Sequence, residues 1–164
     1  MNEQEIKLVN RTARSAGAVG RNAVVPRVVT KYLKDNPELA TVIDYGAGPD
    51  QIHVMKMRKE FPMGLILGYE IGDNHRKYHH ITRRTAYRIL WDVVYASNVL
   101  NVQPTEDALE DTLRELMVLS KNGIAIFNYP ASPRKTSTSL AMLVQMCSLL
   151  WDKVEVKDKV IFAS

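Results

Sequence analysis

The sequence predicts an α/β fold in which a mostly parallel β-sheet is covered by helices on both faces. Short apolar runs, several of them β-branched, alternate with stretches of helical periodicity along the 164-residue chain. The first such run, residues 41–45, leads into a glycine-rich turn, a common place for a ligand site in open α/β sheets. Near the C-terminus, residues 154–156 and 160–162 flank a Lys-Asp-Lys turn, which predicts a closing antiparallel hairpin.

The predicted elements follow one another without a linker, so we expect one compact domain over residues 1–164. Helices are expected at 24–34, 51–61, 105–119 and 137–151, and strands at 41–45, 64–70, 91–96 and 124–128. Residues 1–22 are expected to form a basic, helical N-terminal extension. Only 20 residues separate Glu70 from Trp91, too few for a helix, a strand and their loops. The third strand of the sheet is therefore expected to be shortened or missing.

Two details of the helices can also be predicted. In the helix 51–61, Ile52 and Met55 are expected on one face and the lysines on another. At the end of the helix 105–119, Lys121-Asn-Gly123 is expected to provide a left-handed stop, because glycine adopts positive φ without steric cost.

Composition excludes several classes of protein. Hydrophobic residues make up 46% of the chain, enough for a packed core. No apolar run approaches the roughly 20 residues that a membrane span needs, so no membrane contact is expected. The acidic N-terminus has no apolar segment behind it and therefore predicts no secretory signal. The single cysteine, Cys147, lies among apolar helix residues and is expected to be buried. We expect a cytoplasmic protein with a mild net charge of +4.

The glycine-rich turn after the first strand indicates a nucleotide-type ligand site. Gly46 and Gly48 would let the backbone approach a ligand closely, because neither carries a Cβ. Gln51 stands where a dinucleotide site prefers a third glycine, and Asp44 would repel a phosphate, so NAD is disfavoured. Glu70, at the end of the second strand, is placed to accept hydrogen bonds from ribose hydroxyls. A ribose ligand that carries positive charge and no phosphate describes S-adenosylmethionine (SAM).

Four segments in order resemble the strand-end motifs of class I SAM-dependent methyltransferases: Asp44-Tyr-Gly-Ala-Gly-Pro, Gly68-Tyr-Glu, Asp92-Val-Val-Tyr-Ala-Ser-Asn and Lys121-Asn-Gly-Ile-Ala-Ile-Phe. The resemblance covers roughly residues 20–163 and implies a Rossmann-like fold with SAM as cofactor. The cofactor-binding residues that it implies are Asp44, Tyr45, Gly46, Ala47, Gly48, Pro49, Glu70, Ile71, Ser97 and Asn98.

Three residues are candidates for the catalytic role. The candidates are Asn98, Tyr129 and Arg134, of which the last two belong to a segment that leaves a strand at the ligand edge. The motif of amine-methylating DNA enzymes, Asp/Asn-Pro-Pro-aromatic, does not follow the strand 91–96, where Ser97-Asn98-Val stands instead. No metal site is expected, since the histidines near position 79 have no cysteine beside them. The default interpretation of the basic segments 7–34 and 75–88 is a solvated basic face, but contact with nucleic acid stays open.

Three functions remain open at this level. The leading hypothesis is a SAM-dependent methyltransferase whose acceptor is a nucleic acid or a small molecule. The chain could instead be a non-catalytic SAM-binding module or a subunit of a methyltransferase complex, which its shortened middle region would suit. It could also consume SAM without a methyl acceptor. Self-association (a homo-oligomer) or a partner subunit is open as well, because there is no accessory domain for substrate selection.

Overall fold

The computed structural model describes residues 4, 6–8, 23–71, 80–130 and 137–164. Its strands are β1 (Thr41–Tyr45), β2 (Leu65–Tyr69), β3 (Val93–Ala96), β4 (Ile124–Asn128), β5 (Val154–Lys157) and β6 (Val160–Ala163). They form one sheet in the order β2-β1-β3-β4-β6-β5. β1 to β4 are parallel to one another, and β6 is antiparallel to both β4 and β5. The predicted α/β fold with a C-terminal antiparallel hairpin is confirmed.

The helices are α1 (Val24–Asp35), α2 (Ile52–Glu60), α3 (Arg83–Ala86), α4 (Glu106–Leu119) and α5 (Leu140–Ser148), with a short 3₁₀ turn at Leu100–Val102. Thr105 caps α4 by accepting a hydrogen bond from the backbone of Ala108. Ser139 caps α5 in the same way through the backbone of Met142. Such caps satisfy N–H groups that have no partner within the helix. Ser139 therefore sets the start of α5 later than the sequence pattern predicts.

Both faces of the sheet are covered, as predicted. On one face, α1 and α2 bury Val29, Leu33 and Met57 against strand residues such as Tyr95. On the other face, α4 and α5 contribute most of the helical part of the larger core cluster. Ile6, in the helical residues 6–8, also packs against that cluster. No helix in the described ranges is long and apolar enough to cross a membrane.

Cys147 lies in α5 with its side chain fully buried, as expected. Burial raises the pKa of its thiol to about 12, because the thiolate would lose its hydration. This cysteine is therefore part of the core packing and has no nucleophilic character.

Among the described residues, the third strand is reduced to a single position, in keeping with the predicted shortening of this region. Ile81 forms an isolated parallel bridge with Tyr69, at the end of β2. Its backbone N–H donates a 3.0 Å hydrogen bond to the carbonyl of Gly68. β2 consequently forms one edge of the sheet.

The face of α2 that carries Ile52 and Met55 is not the one that packs against the sheet. Val54 and Met57 point into the core, whereas Ile52 and Met55 are 40% and 39% exposed. The apolar residues of this segment fit two helix faces, and the chain enters α2 through Gln51 in the left-handed region, with φ 45°. This entry turns the face of Val54 and Met57 toward the sheet.

The predicted left-handed stop after α4 is also wrong, because Gly123 is absent from the described residues that have positive φ. Glycine is required there for another reason. A Cβ at Gly123 would lie 2.5 Å from the carbonyl oxygen of Trp91 and closer still to that of Asp92. The close approach of two backbones, where β3 and β4 begin, therefore excludes any side chain.

Candidate functional site

The predicted site residues meet at the carboxyl edge of the parallel strands. The loop 46–49 follows β1, Glu70 follows β2, and Ser97 and Asn98 follow β3. Asn128 is the last residue of β4. Since β1 to β4 are parallel, these ends lie along one edge of the sheet, where open α/β folds bind their ligands.

The loop after β1 is held open by backbone geometry. Gly46 and Gly48 have φ of 83° and 69°, a region that glycine enters without a Cβ penalty. The N–H groups of Gly46 and Ala47 both donate to the carbonyl of Tyr69, at 2.8 and 3.1 Å. A Cβ on Gly46 would strike Val99, whereas nothing lies within 4 Å of the corresponding position on Gly48. Gly48 therefore faces open space in which a ligand could lie.

Two polar side chains hold Gly48 from the side of β2. Its N–H donates to Oε2 of Glu70 at 2.6 Å. His80 Nε2 lies 2.9 Å from the carbonyl oxygen of Gly48, and it must be the donor because a carbonyl can only accept. The loop and the end of β2 are thus connected through backbone and side chains. A ligand that binds Glu70 would therefore also affect the hydrogen bond that positions Gly48.

Asp44 is the buried acid of the site, with 3% of its surface exposed. Burial raises the pKa of its carboxyl to about 7, the hydrogen bond from the Tyr95 hydroxyl lowers it, and the negative charge of Glu70 raises it. The carboxyl is therefore close to the point where either protonation state is accessible at neutral pH. A cation beside Asp44 would stabilise the ionised form.

A small cavity lies between Asp44, the loop 46–49 and Ser97, with a volume of about 80 Å³. The side-chain oxygen of Ser97 is buried and has no hydrogen-bond partner among the described residues. Buried hydroxyls in proteins nearly always have a partner, so this atom is a vacant polar contact at the cavity wall. Ligand pockets usually exceed roughly 300 Å³, so this cavity can hold only part of a larger ligand.

The ends of β3 and β4 are joined by a pair of amides. The backbone N–H of Asn98 donates to Oδ1 of Asn128 at 2.7 Å. The side-chain amide of Asn128 donates in return to Oδ1 of Asn98, also at 2.7 Å. Asn98 lies in the left-handed region, with φ 58°, which asparagine tolerates better than most residues. This pair places two amide groups at the ligand edge, beside Ser97.

Of the residues that the resemblance implies, one group lines the cavity: Asp44, Gly46, Ala47, Gly48, Pro49 and Ser97. Glu70 contacts this group through Gly48. The side chains of Tyr45 and Ile71 lie in the core instead. The hydroxyl of Tyr45 donates to Glu115 on α4, so only its backbone is available to a ligand at this edge.

The catalytic candidates fall in different places. Asn98 lies at the carboxyl edge of the parallel strands, just after β3. Tyr129 is fully buried, and its hydroxyl donates a 3.0 Å hydrogen bond to the carbonyl of Thr138. It packs as a core residue and would have to break that bond to meet an acceptor. Arg134 lies outside the described residues.

Sequence reasoning missed three residues of the site: Tyr95, His80 and Asn128. Tyr95 is directly opposite Asp44 in the pairing of β1 and β3. The strand register, which no local motif reveals, would have been needed to find it. Asn128 carries the signal of a polar residue at the end of a parallel strand. Contact between His80 and the loop depends on the path of residues 71–80, which periodicity does not predict.

The described ranges contain no group of three or more His, Cys, Asp or Glu side chains that could hold a metal ion. Residues 75–79, which include the other histidines of the basic segment, lie outside these ranges.

No protein-family model matches the sequence, and no curated protein is similar to it in sequence. Solved structures do match. The chain is similar to magnesium protoporphyrin IX methyltransferase from Synechocystis PCC 6803, which has been solved with SAM bound and with S-adenosylhomocysteine (SAH) bound. Against the SAM complex the identity is 13% and the TM-score 0.54, covering 99% of this chain and 82% of that one. Against the SAH complex the values are 12% and 0.55, covering 99% and 94%. The chain has the Rossmann-like fold of class I SAM-dependent methyltransferases.

Proposed function

We propose that this chain is a SAM-dependent methyltransferase that binds SAM at the carboxyl edge of β1 to β3. The observation that carries the proposal is the cavity beside the loop 46–49, where a buried acid, Asp44, and the unpartnered hydroxyl of Ser97 lie together. The fold is that of a methyltransferase from Synechocystis that has been solved with SAM bound, which supports the same cofactor here.

The residues present suit the parts of SAM. The ionised form of Asp44 suits the ammonium group or the sulfonium of the methionine portion, and Ser97 can accept or donate a hydrogen bond there. Glu70 can exchange its bond with Gly48 for the two ribose hydroxyls. The open space in front of Gly48 leaves room for the chain that joins the two portions. Asp44, Gly46, Ala47, Gly48, Pro49, Glu70 and Ser97 are therefore the proposed cofactor-binding residues.

Two features argue against a dinucleotide. The side chain of Gln51 is buried and packs where a Cβ on Gly68 would lie, so it fills the space beneath the turn. Asp44 places a second carboxyl near Glu70, and the charge of Glu70 makes ionisation of Asp44 more costly. A pyrophosphate would add further negative charge to this corner, whereas a cationic ligand reduces it.

The methyl acceptor is proposed to approach over the ends of β3 and β4. Bound SAM would supply a methyl group on positively charged sulfur: an acceptor nucleophile would bond to the methyl carbon in line as the S–CH₃ bond breaks, SAH would leave and the acceptor would give up a proton. The reaction requires chiefly alignment. Asn98 and Asn128 present fixed amide groups there, which suit an acceptor with hydrogen-bonding groups.

A nucleic-acid acceptor stays a prediction from the basic segments 7–34 and 75–88. In the part of the chain that the structure describes, Arg84 and Arg88 are exposed, whereas Arg83 pairs with Glu115 at 2.5 Å. The exposed pair could contact phosphates. Cytoplasmic location likewise stays a prediction.

The binding test is calorimetric titration of the purified chain with SAM, SAH and NAD in parallel. We expect micromolar binding of SAM and SAH and none of NAD. Ser97→Ala should weaken SAM binding about threefold to tenfold, because it removes one hydrogen bond. Ser148→Ala, an exposed serine on α5, is the matched control and should leave the affinity unchanged. NAD binding, or no binding of either adenosyl ligand, would contradict the proposal.

A second test separates the enzyme from a binding module. SAH should accumulate only when an acceptor is added, for which short RNA and DNA oligonucleotides and a mixture of small amines and phenols provide a first screen. Release of SAH or another SAM product without any acceptor would instead indicate a SAM-consuming enzyme. Binding without any turnover would indicate the non-catalytic module.

A further inference from the structure

The two edge strands of the sheet differ in whether their outward-pointing backbone groups have hydrogen-bond partners. β5 forms one edge and pairs only with β6. Lys153 and Ser164 exchange two backbone hydrogen bonds. Because backbone groups alternate in direction along an antiparallel strand, residues 153, 155 and 157 direct their N–H and C=O groups toward β6. Val154 and Val156 therefore direct their N–H and C=O groups outward, away from the sheet. No other segment of the described chain pairs with them.

The opposite edge, β2, is closed. The backbone of Leu65 bonds toward β1, so the carbonyls of Ile66 and Gly68 point outward. Arg58 donates a 2.6 Å hydrogen bond to the first of these carbonyls, and Ile81 donates to the second. The fold thus covers one edge with a side chain and a bridge, but leaves the other free to pair with another strand.

We propose that β5 pairs with β5 of a second copy of this chain, antiparallel about a two-fold axis at Val156. In this register Glu155 of one copy lies opposite Lys157 of the other, and the reverse holds across the axis. Glu155 already pairs with Lys153 and Lys157 in its own strand, at 3.1 and 2.7 Å, so these charges lie on one face of the hairpin. The face is therefore self-complementary in charge.

Other registers are worse. An axis at Glu155 would place that carboxylate against its own copy, and Lys153 against Lys157, so like charges would oppose one another. An axis at Val154 would place three of the four strand residues opposite residues 151–153, which lie outside β5, whereas the axis at Val156 places only Val154 opposite such a residue, Asp158. Only the axis at Val156 combines outward-pointing backbone groups with opposite charges inside the strand.

The other face of the hairpin supplies apolar surface for the same contact. Val156 is 43% exposed there, on the side on which Val154 packs against the core cluster with residues of α5. Across the two-fold axis, Val156 would meet its own copy and lose this exposure to water.

The register can be tested by cross-linking the full-length chain. At a hydrogen-bonded antiparallel pair the Cα atoms lie roughly 5.5 Å apart, within the range of roughly 4.4 to 6.8 Å that a disulfide spans. Val156→Cys should therefore form a covalent dimer under mild oxidation. The native Cys147 is buried and should not cross-link. Val118→Cys, at a similarly exposed position on α4, is the control and should remain monomeric on a non-reducing gel.

Charge reversal tests the same interface by sedimentation velocity. Glu155→Lys should raise the dissociation constant of the dimer about tenfold or more, since two like-charge pairs replace two opposite ones. The double exchange E155K/K157E should restore it, because the pattern is again self-complementary. Glu110→Lys, on the exposed face of α4, makes the same change of charge elsewhere and should have no effect. A chain that is monomeric at all concentrations, a dimer unaffected by E155K, or the absence of a cross-link in Val156→Cys would each overturn the proposal.

Discussion

The hydroxyl of Tyr95 donates a 2.7 Å hydrogen bond to Asp44, and the two residues lie directly opposite each other in the pairing of β1 and β3. Both side chains are buried. The bond offsets part of the desolvation of the carboxylate, but the pKa of Asp44 still lies at about 7. Ionisation of Asp44 therefore costs stability, and a cation bound beside it would reduce that cost.

The first prediction concerns the pH dependence of stability. The pKa of Asp44 is about 7 in the folded chain against 3.8 for an ordinary aspartate, so the folded state binds a proton more tightly. Ionisation of Asp44 therefore leaves the free energy of unfolding unchanged below about pH 4. It lowers this free energy progressively between about pH 4 and 7, and by a constant amount above about pH 7. Asp44→Asn removes this cost and keeps the partner for Tyr95. We expect it to raise the free energy of unfolding at pH 8 by about 1 to 3 kcal/mol, measured by urea denaturation.

The control for Asp44→Asn is the same comparison at pH 4, where wild type and variant should differ little. A gain of stability that is equal at both pH values would contradict the assignment to ionisation. The variant should also bind SAM more weakly at pH 8, since it lacks the negative charge. Stabilisation without any loss of SAM affinity would leave the pKa assignment intact, but it would remove Asp44 from the proposed site.

Much of the fold could be predicted from the sequence because its signals are local. The alternation of strands and helices, the glycine turn after residues 41–45 and the hairpin turn each depend on a few neighbouring residues. The face of α2 could not be predicted, because Ile52 with Met55 and Val54 with Met57 fit a helix equally well. The choice between them is made by the left-handed conformation of Gln51 and by packing against the sheet, and neither is visible in the pattern of apolar residues.

Some residues of the candidate site could likewise be predicted from local sequence signals, and others could not. The glycines of the loop and Glu70 follow from strand ends, whereas Tyr95 required the register of β1 against β3. The structural role of Tyr129 depends on the carbonyl of Thr138, nine positions away in the chain. No periodicity connects those two residues, so the sequence could only show that Tyr129 follows a strand.

The second prediction concerns Glu70. Replacing it with alanine should weaken SAM binding by about 1 to 3 kcal/mol, because two ribose hydroxyls would lose a charged acceptor. Glu70→Gln keeps one acceptor oxygen and should lose less. Calorimetry measures both, and Glu110→Ala on the exposed side of α4 serves as the control. Unchanged SAM affinity in Glu70→Ala would contradict the ribose assignment.

The third prediction concerns the amide pair between β3 and β4. Asn128→Ala removes both hydrogen bonds to Asn98 and should lower the free energy of unfolding by about 1 to 2 kcal/mol. Asn98→Ala should cost at least as much, because alanine is disfavoured at φ 58°. Asn98→Gly loses the side-chain bond but relieves the strain, so it should be the more stable of the two variants at position 98. Thermal unfolding gives the order, and equal stability of Asn98→Ala and Asn98→Gly would argue against strain at this residue.

The last prediction separates two reasons for glycine in this chain. Gly123→Ala would place a methyl group against the carbonyls of Trp91 and Asp92, and backbone cannot move aside as a flexible side chain can. We expect a loss of about 3 kcal/mol or more in the free energy of unfolding. Gly48→Ala meets nothing within 4 Å, but its φ of 69° costs an alanine about 1 to 2 kcal/mol. The second variant should therefore fold with a smaller loss of stability, yet lose SAM affinity because the methyl group enters the space proposed for the ligand. If Gly48→Ala bound SAM as well as the wild type, the ligand would not pass in front of this loop.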